Sequence, residues 1–299
     1  MNQIGNILVA VGQFPQDDPV LGRAAEIARA HRAKLTIIHV VDNIGEINPA
    51  VVDLTSVQHQ IQQIGLERVQ AAVKNSKAVD LNIDIRIEVG SPHVRVIEVA
   101  KELNVDLVVM RAHQHDSILD KIIGSTTDRV IRVSCAPVLV VKRPVKQAYQ
   151  HVVVAIDTSD DSAAIVPTVA ALFTMAELSL IHVVQIPHQF EAAMLRAGSG
   201  QCVAEHRTAL IDNAKVRLHD ISNTLTKRPV QSAARVVVGD PATSLVRATW
   251  SADVDLIALG PGSTSTIWRA LLGSVTRRVL RTATCDVLIC PSASLNGGK

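Results

Sequence analysis

The sequence predicts an α/β protein made of two tandem, open, five-stranded parallel sheets flanked by helices. Three observations lead there. Short β-branched runs alternate with longer stretches at helical spacing, the mark of βαβ units. The whole pattern then occurs a second time, at an offset of 143 to 149 residues. Aromatic residues make up only 2% of a chain that is 47% hydrophobic, which suits the Val/Ile/Leu/Ala packing of parallel sheets buried on both faces.

Taken in order, the first copy has strands near 6–11, 34–41, 82–88, 106–110 and 137–142. Between strands two and three, Leu54, Val57, Ile61, Ile64, Val69 and Val73 recur at helical spacing and predict one apolar stripe. The second copy has strands near 151–156, 177–184, 230–238, 255–259 and 286–290. Its stripe is Leu210, Ala214, Leu218, Ile221 and Leu225. The duplication is read from paired blocks: NILVAV at Asn6 and HVVVAI at His151, IHVV at Ile38 and Ile181, VGSP at Val89 and VGDP at Val238. Further along, VDLVVM at Val105 answers VDLIAL at Val254, and GSTTDRVIR at Gly124 answers GSVTRRVLR at Gly273. The polar, proline-containing stretch Lys142–Gln150 is the linker, so the domains run over about 1–143 and 150–292.

Composition excludes several classes. High hydrophobicity with a net charge of +2 rules out intrinsic disorder, and so weak a basic balance gives no footprint for nucleic acid or an anionic membrane. No apolar run reaches the ~18 residues of a membrane span. The richest helix candidate, Ala163–Ala176, is shorter and is interrupted by Pro167, Thr168 and Thr174. The N-terminus has no charged segment ahead of its first apolar run, so no signal peptide is expected. Four scattered cysteines without a C-x-x-C pair point to a reduced, cytoplasmic protein.

Five strands, four helices and a Gly-Ser ahead of the last helix make each copy resemble the universal stress protein family. The Ala112–Asp116 run, AHQHD, is similar to tandem, E-type members. The resemblance implies a Rossmann-like, adenine-nucleotide alpha hydrolase-like fold. It also implies the family's nucleotide motif: an aspartate ending strand one, then G-x-x-G, nine residues and G-[ST]. Glycines let the backbone approach phosphate, a helix N-terminus offers free N–H groups, and the acid accepts from the adenine amino group. In copy one the motif fails: Gly12 replaces the aspartate, Arg111 and Gln114 replace glycines, and only Gly124 and Ser125 remain. Copy two keeps Asp157, Gly260, Gly273 and Ser274, followed by Val275 and Thr276, with Val183 where the family contacts adenine. Its middle glycine is Ser263, beside Gly262, and Pro261 removes one N–H. The resemblance therefore implies ATP or another adenine nucleotide in domain 2 only. The same residues are also read as a plain helix start, with Gly273-Ser274 as a cap.

The other chemistry-bearing residues are read more plainly. His39 and His182 recur at the end of strand two and read as buried, hydrogen-bonded core residues. The acidic run after Ile156 reads as a helix cap, and Cys285 and Cys290 as buried thiols. Phe190, Met194 and Leu195 read either as a lid over an apolar cavity or as a helix turn packed on the core. Arg277, Arg278 and Arg281 share a helix, as Arg129 and Arg132 do, and read as solvated faces. His113 and His115, with Asp116 beside them, have the donor types that hold zinc or a similar divalent metal, with His93 or a second chain as a further ligand. No G-x-S-x-G elbow and no P-loop signature is present. The expected function is a non-catalytic, cytoplasmic stress-response protein. A binding module for an apolar small molecule or a divalent metal is one alternative, and a weak ATPase is another. The two domains are expected to pair through their last strands, Pro137–Lys142 and Asp286–Cys290, which hides two sheet edges, and the chain to form a homodimer.

Overall fold

A computed structural model describes residues 4–12, 14, 18–43, 54–76, 78, 80–112, 125–157, 164–186, 188–198, 200–224, 232–260 and 272–291. The chain separates into two compact units, Met1–Ala148 and Tyr149–Lys299. The first contains β1 (Asn6–Val11), α1 (Asp18–His31), β2 (Lys34–Val41), α2 (Leu54–Asn75), β3 (Ile83–Val89), α3 (Pro92–Glu102), β4 (Leu107–Arg111), α4 (Ser125–Val133) and β5 (Val138–Val141). The second contains β6 (His151–Ile156), α5 (Ile165–Leu172), β7 (Glu177–Val184), α6 (His188–Arg196), α7 (Gly200–Thr224), β8 (Ser232–Val238), α8 (Pro241–Ala248), β9 (Leu256–Leu259), α9 (Ser274–Thr282) and β10 (Asp286–Ile289).

Every strand pair within a unit is parallel. The first sheet runs β3-β2-β1-β4-β5, and the second runs β8-β7-β6-β9-β10. The order reverses between β1 and β4, and again between β6 and β9. Such a reversal opens a crevice at the carboxyl ends of the strands. The central strands are deeply buried: Ile7, Leu8 and Val9 in β1, and Val152 and Val154 in β6, are 1% exposed or less. Each such side chain contributes about 1.5–3 kcal/mol by leaving water.

Four ties recur in both units and explain the repeated blocks. Asp106 Oδ2 accepts from the Gly5 and Asn6 amides at 2.7 and 3.0 Å. Asp255 Oδ2 accepts from the Gln150 and His151 amides at 2.7 and 3.1 Å. The aspartate of each V-D-L block thus clamps the start of its unit's first strand. The glycine of each VG block takes a backbone conformation that side chains disfavour, with φ of +124° at Gly90 and +153° at Gly239. Its amide donates to Val41 or Val184 at the end of the neighbouring strand. The remaining two ties, at the paired histidines and threonines, lie at the candidate site.

The helices adjust the apolar stripe read from spacing. In α2, Val69 and Ala72 are buried, but Ile64 is 48% exposed and the buried position beside it is Gly65. A Cβ on Gly65 would stand 3.1 Å from His39 Cδ2, a tight contact, so this helix face lies close against the sheet. In α7 Ala214 and Leu218 of the stripe are buried and Leu210 and Ile221 half-buried, while Leu225 lies outside the described residues. The linker is also less of a tether than its polarity suggests. Val145 packs on Gly22 of α1, and the Arg23 guanidinium donates to the Gln147 carbonyl at 3.0 Å. Tyr149 then enters the core of the second unit, edge-on to Phe173, and its hydroxyl donates to buried Asp286 at 2.6 Å.

Candidate functional site

In the second unit the sheet and α7 leave a small cleft at the carboxyl end of β6. Ile156, Asp157 and His182 line it from the strand ends, and Ala214, Arg217, Leu218 and Ile221 line it from the helix. The floor is fixed by His182, 8% exposed, whose Nδ1–H donates to the Ile156 carbonyl at 2.7 Å. A carbonyl only accepts, so this bond places the ring proton on Nδ1. His39 makes the same bond to the Val11 carbonyl at 3.0 Å in the first unit. Both histidines are the buried, hydrogen-bonded residues their recurrence predicts. Their work is to hold the ends of the first two strands together.

Asp157 stands exposed at the rim, on the residue after β6. Val183 does not line the cleft. It follows His182 on β7, and successive strand residues face opposite sides of a sheet. That period was readable in the sequence and favours His182 over Val183 as the residue beneath the cleft.

Next to β6 lies β9, in register Val152↔Leu256 through Val154↔Ala258. Its last residue precedes Gly260, so Asp157 and Gly260 end neighbouring strands, which lie about 5 Å apart. A Cβ added to Gly260 would meet nothing within 4 Å, so open space fronts this backbone. Gly273 and not Ser274 is the N-cap of α9, and as a glycine it brings no side-chain cap of its own. Its first turn includes Ser274, exposed, and Val275, half-buried. Unfilled N–H groups and the helix dipole make such an end attractive to anions.

Thr276 is 2% exposed and its hydroxyl donates to the Gly260 carbonyl at 3.2 Å. Thr127 does the same to the Arg111 carbonyl at 3.0 Å in the first unit. A tie that survives in the copy without the nucleotide motif belongs to the fold. It draws the N-terminus of the last helix to the end of β9, and so brings Gly260, Gly273, Ser274 and Val275 to one side of the site.

Around this core, Asp240 caps α8. It accepts from the Thr243 amide at 2.9 Å and from its hydroxyl at 2.5 Å, with Arg278 of α9 at 3.8 Å. The Thr243 hydrogen bonds, and then the Arg278 charge, hold its carboxyl below the usual aspartate range. Cys285 and Cys290 are buried, as expected, and burial pushes the Cys290 thiol up to about 12. The 188–196 segment is a helix of its own. Leu195 is 59% exposed and so is not turned into the core, while the side chain of Phe190 lies outside what the structure describes. Arg277, Arg278 and Arg281 are exposed, although Arg278 faces Asp240.

Residues 113–124, 158–163 and 261–271 lie outside the described residues. With them go His113, His115, Asp116, Gly124, Pro261, Gly262 and Ser263, and with them the expected metal site. Among the described residues there is no cluster of three or more His, Cys, Asp or Glu side chains suited to a metal. Among them too, no helix is long and apolar enough to cross a membrane.

Comparison with known proteins agrees with the duplication. The model of the universal stress protein family matches residues 3–142 and again 148–291. Universal stress protein A homolog 1 of Coxiella burnetii is 27% identical over 148 residues, which are 46% of this chain and 94% of that protein. Two solved structures align over nearly the full length. A functionally unknown protein from Pseudomonas aeruginosa PAO1 has a TM-score of 0.64 at 16% identity, covering 98% of this chain and 94% of that one. A universal stress protein from Archaeoglobus fulgidus DSM 4304 has a TM-score of 0.62 at 17% identity, covering 97% of each chain. With the family model matched by both halves over a fold of two parallel α/β units, the chain belongs to the universal stress protein family.

Proposed function

We propose that this is a non-catalytic, cytoplasmic stress-response protein whose second domain binds one adenine nucleotide, ATP among them, while its first does not. The observation that carries the reading is the cleft at the end of β6. It has an apolar edge, Ala214, Leu218 and Ile221, for a base to lie against, Asp157 at its rim to accept from an exocyclic amine, and the start of α9, with Gly273 as its N-cap, tied to Gly260 for phosphate. The first domain has Gly12 in place of the acid and Arg111 at the end of β4 in place of the glycine. Titration calorimetry with ATP on the full chain tests this. One site per chain is expected, weakened about tenfold or more by Asp157→Ala, the loss of a charge-assisted bond of ~1.5–3 kcal/mol. Absence of heat, or two equal sites, overturns the reading.

Binding without turnover is part of this reading. Phosphate release above the buffer rate in Mg-ATP would restore the ATPase alternative. The apolar edge also suits an apolar small molecule, and mass analysis of ligand carried through purification separates the two. A zinc site at His113 and His115 rests on their sequence, and loss of zinc binding in the double alanine variant tests it. Pairing of the domains through their last strands and homodimer formation complete the proposal. Engineered-disulfide crosslinking tests the first and light scattering the second.

A further inference from the structure

The two domains treat charge differently on one layer, formed by α3 and α4 in the first and by α8 and α9 in the second. In the first, acids hold the arginines. The Arg86 guanidinium on β3 donates to Glu102 at 2.8 Å, with Asp84 at 3.9 Å. Arg95 lies 2.8 Å from Glu98, and Arg132 lies 2.7 Å from Asp128. In the second domain the residues aligned with Asp84, Glu98, Glu102 and Asp128 are Ala233, Arg247, Ser251 and Arg277, so every one of these acids is gone. Arg235 keeps the place of Arg86, since the register pairs Ile38↔Arg86 and Ile181↔Arg235. Arg235, Arg247, Arg277, Arg278 and Arg281 are all exposed, and Asp240 is the acid they are left with on β8, α8, α9 and their caps. Arg278 faces it at 3.8 Å, whereas Arg235, Arg247 and Arg277 make no ion pair among the described residues.

This exchange works against the helix. Asp128 and Arg132 attract at i,i+4, and Arg277 and Arg281 repel at the same spacing. Beside them stands Trp250, 63% exposed, where the first domain has Lys101. Buried Thr249 bonds to Thr284, just past the end of α9, and so holds Trp250 and Arg247 next to that helix. Arginine and tryptophan are the side chains that most often carry the energy of a protein interface. We propose that the α8–α9 face of the second domain docks an acidic segment of another protein. Carboxylates four residues apart on a partner helix are spaced by about 6 Å along its axis, which is also the rise from Arg277 to Arg281. Guanidinium forks take carboxylates in bidentate pairs, and Trp250 receives an apolar side chain at the end of the row. The arginines cover one pair of short helices in a chain of net charge +2, which favours a protein segment over the long basic track that nucleic acid requires.

Docking on this face does not require nucleotide in the cleft, so the titrations are made without any and the ATP experiment is scored separately. The full chain is titrated by calorimetry with a helical peptide that carries glutamates at i,i+4 spacing and one leucine, and with the same peptide carrying lysines instead. The glutamate peptide binds and the lysine peptide does not. Arg247→Glu/Arg277→Asp puts back the residues of the first domain and weakens binding at least tenfold. Its urea midpoint is no lower than the parent's, because the acid restored at 277 pairs with Arg281. Trp250→Ala weakens binding without changing charge. In a Trp268→Phe background, Trp250 emission moves to shorter wavelength as the glutamate peptide is added. Absence of binding by the parent, or equal binding by the double variant or by Trp250→Ala, overturns the proposal. So does equally tight binding of a single-stranded oligonucleotide or of phosphatidylglycerol vesicles.

Discussion

The clamp made by Asp255 provides a sharp test of how the units are held together. Its Oδ2 accepts two backbone amides, from Gln150 at 2.7 Å and His151 at 3.1 Å, at the entrance to the central strand of the second sheet. Each is a hydrogen bond to a charged acceptor, for which about 1.5–3 kcal/mol is the usual range. Both are solvent-exposed, and water replaces part of what is lost, so Asp255→Ala is assigned ~1.5–2.5 kcal/mol in total. Asp255→Asn keeps a neutral acceptor and costs roughly half as much. With a urea m-value of ~2 kcal/mol/M for a domain of this size, the alanine midpoint falls by about 1 M at unchanged m. Both tryptophans of the chain, Trp250 and Trp268, belong to the second copy, so fluorescence follows that domain alone. The matching Asp106→Ala is followed by far-UV circular dichroism. An alanine shift below ~0.2 M, or an asparagine variant as costly as alanine, refutes the clamp.

Other consequences follow from individual side chains. Tyr149→Phe leaves the Asp286 carboxylate, 1% exposed, without its 2.6 Å hydroxyl donor, and lowers second-domain stability by about 1–3 kcal/mol in the same urea assay. Native iodoacetamide labelling at pH 8 modifies exposed Cys135 and Cys202 and spares buried Cys290. With its thiol pushed up to about 12, Cys290 is slowed roughly a thousandfold by ionisation alone against an ordinary thiol near ~8.5. Mass mapping of the label checks this. Asp240 and Asp80 are both depressed, by Thr243 and by Arg29 respectively. Their stabilisation is therefore present above the ordinary aspartate pKa of ~3.9 and is lost as pH falls through their lower folded values. Asp240→Asn should flatten the acid limb of a plot of urea midpoint against pH below about 4, and leave its neutral region nearly unchanged in slope.

Much of the architecture was readable because two periods recur twice in one chain: strands of β-branched residues, and helices with an apolar stripe. What was misread is informative. Ile64 was expected in the α2 stripe because large apolar residues define a stripe, yet the helix meets the sheet through Gly65 and Ala72. Small residues at a close contact leave no hydrophobic signal. The V-D-L aspartates read as part of a strand pattern, although a carboxylate at the mouth of two buried strands in both copies marks a structural acceptor. Thr276 falls in the phosphate-loop pattern through the family resemblance, and its hydroxyl also serves the backbone, as that of its counterpart Thr127 does in the copy without the glycines. The candidate site was legible as far as Asp157 and Gly260. The cleft over His182 depends on how α7 crosses the strand ends, and no local pattern encodes that.

The threonine ties have an evolutionary consequence. Thr127 and Thr276 each join a residue sixteen positions back in sequence, at the end of the preceding strand. The two ends of the intervening segment are thereby fixed to one another by the scaffold itself. Loop-closure entropy grows only slowly with the length of such a segment. Substitutions between the ties leave the anchoring bonds themselves in place, and Ala112–Gly124 and Pro261–Gly273, equal in length, have little sequence in common although both ties are kept.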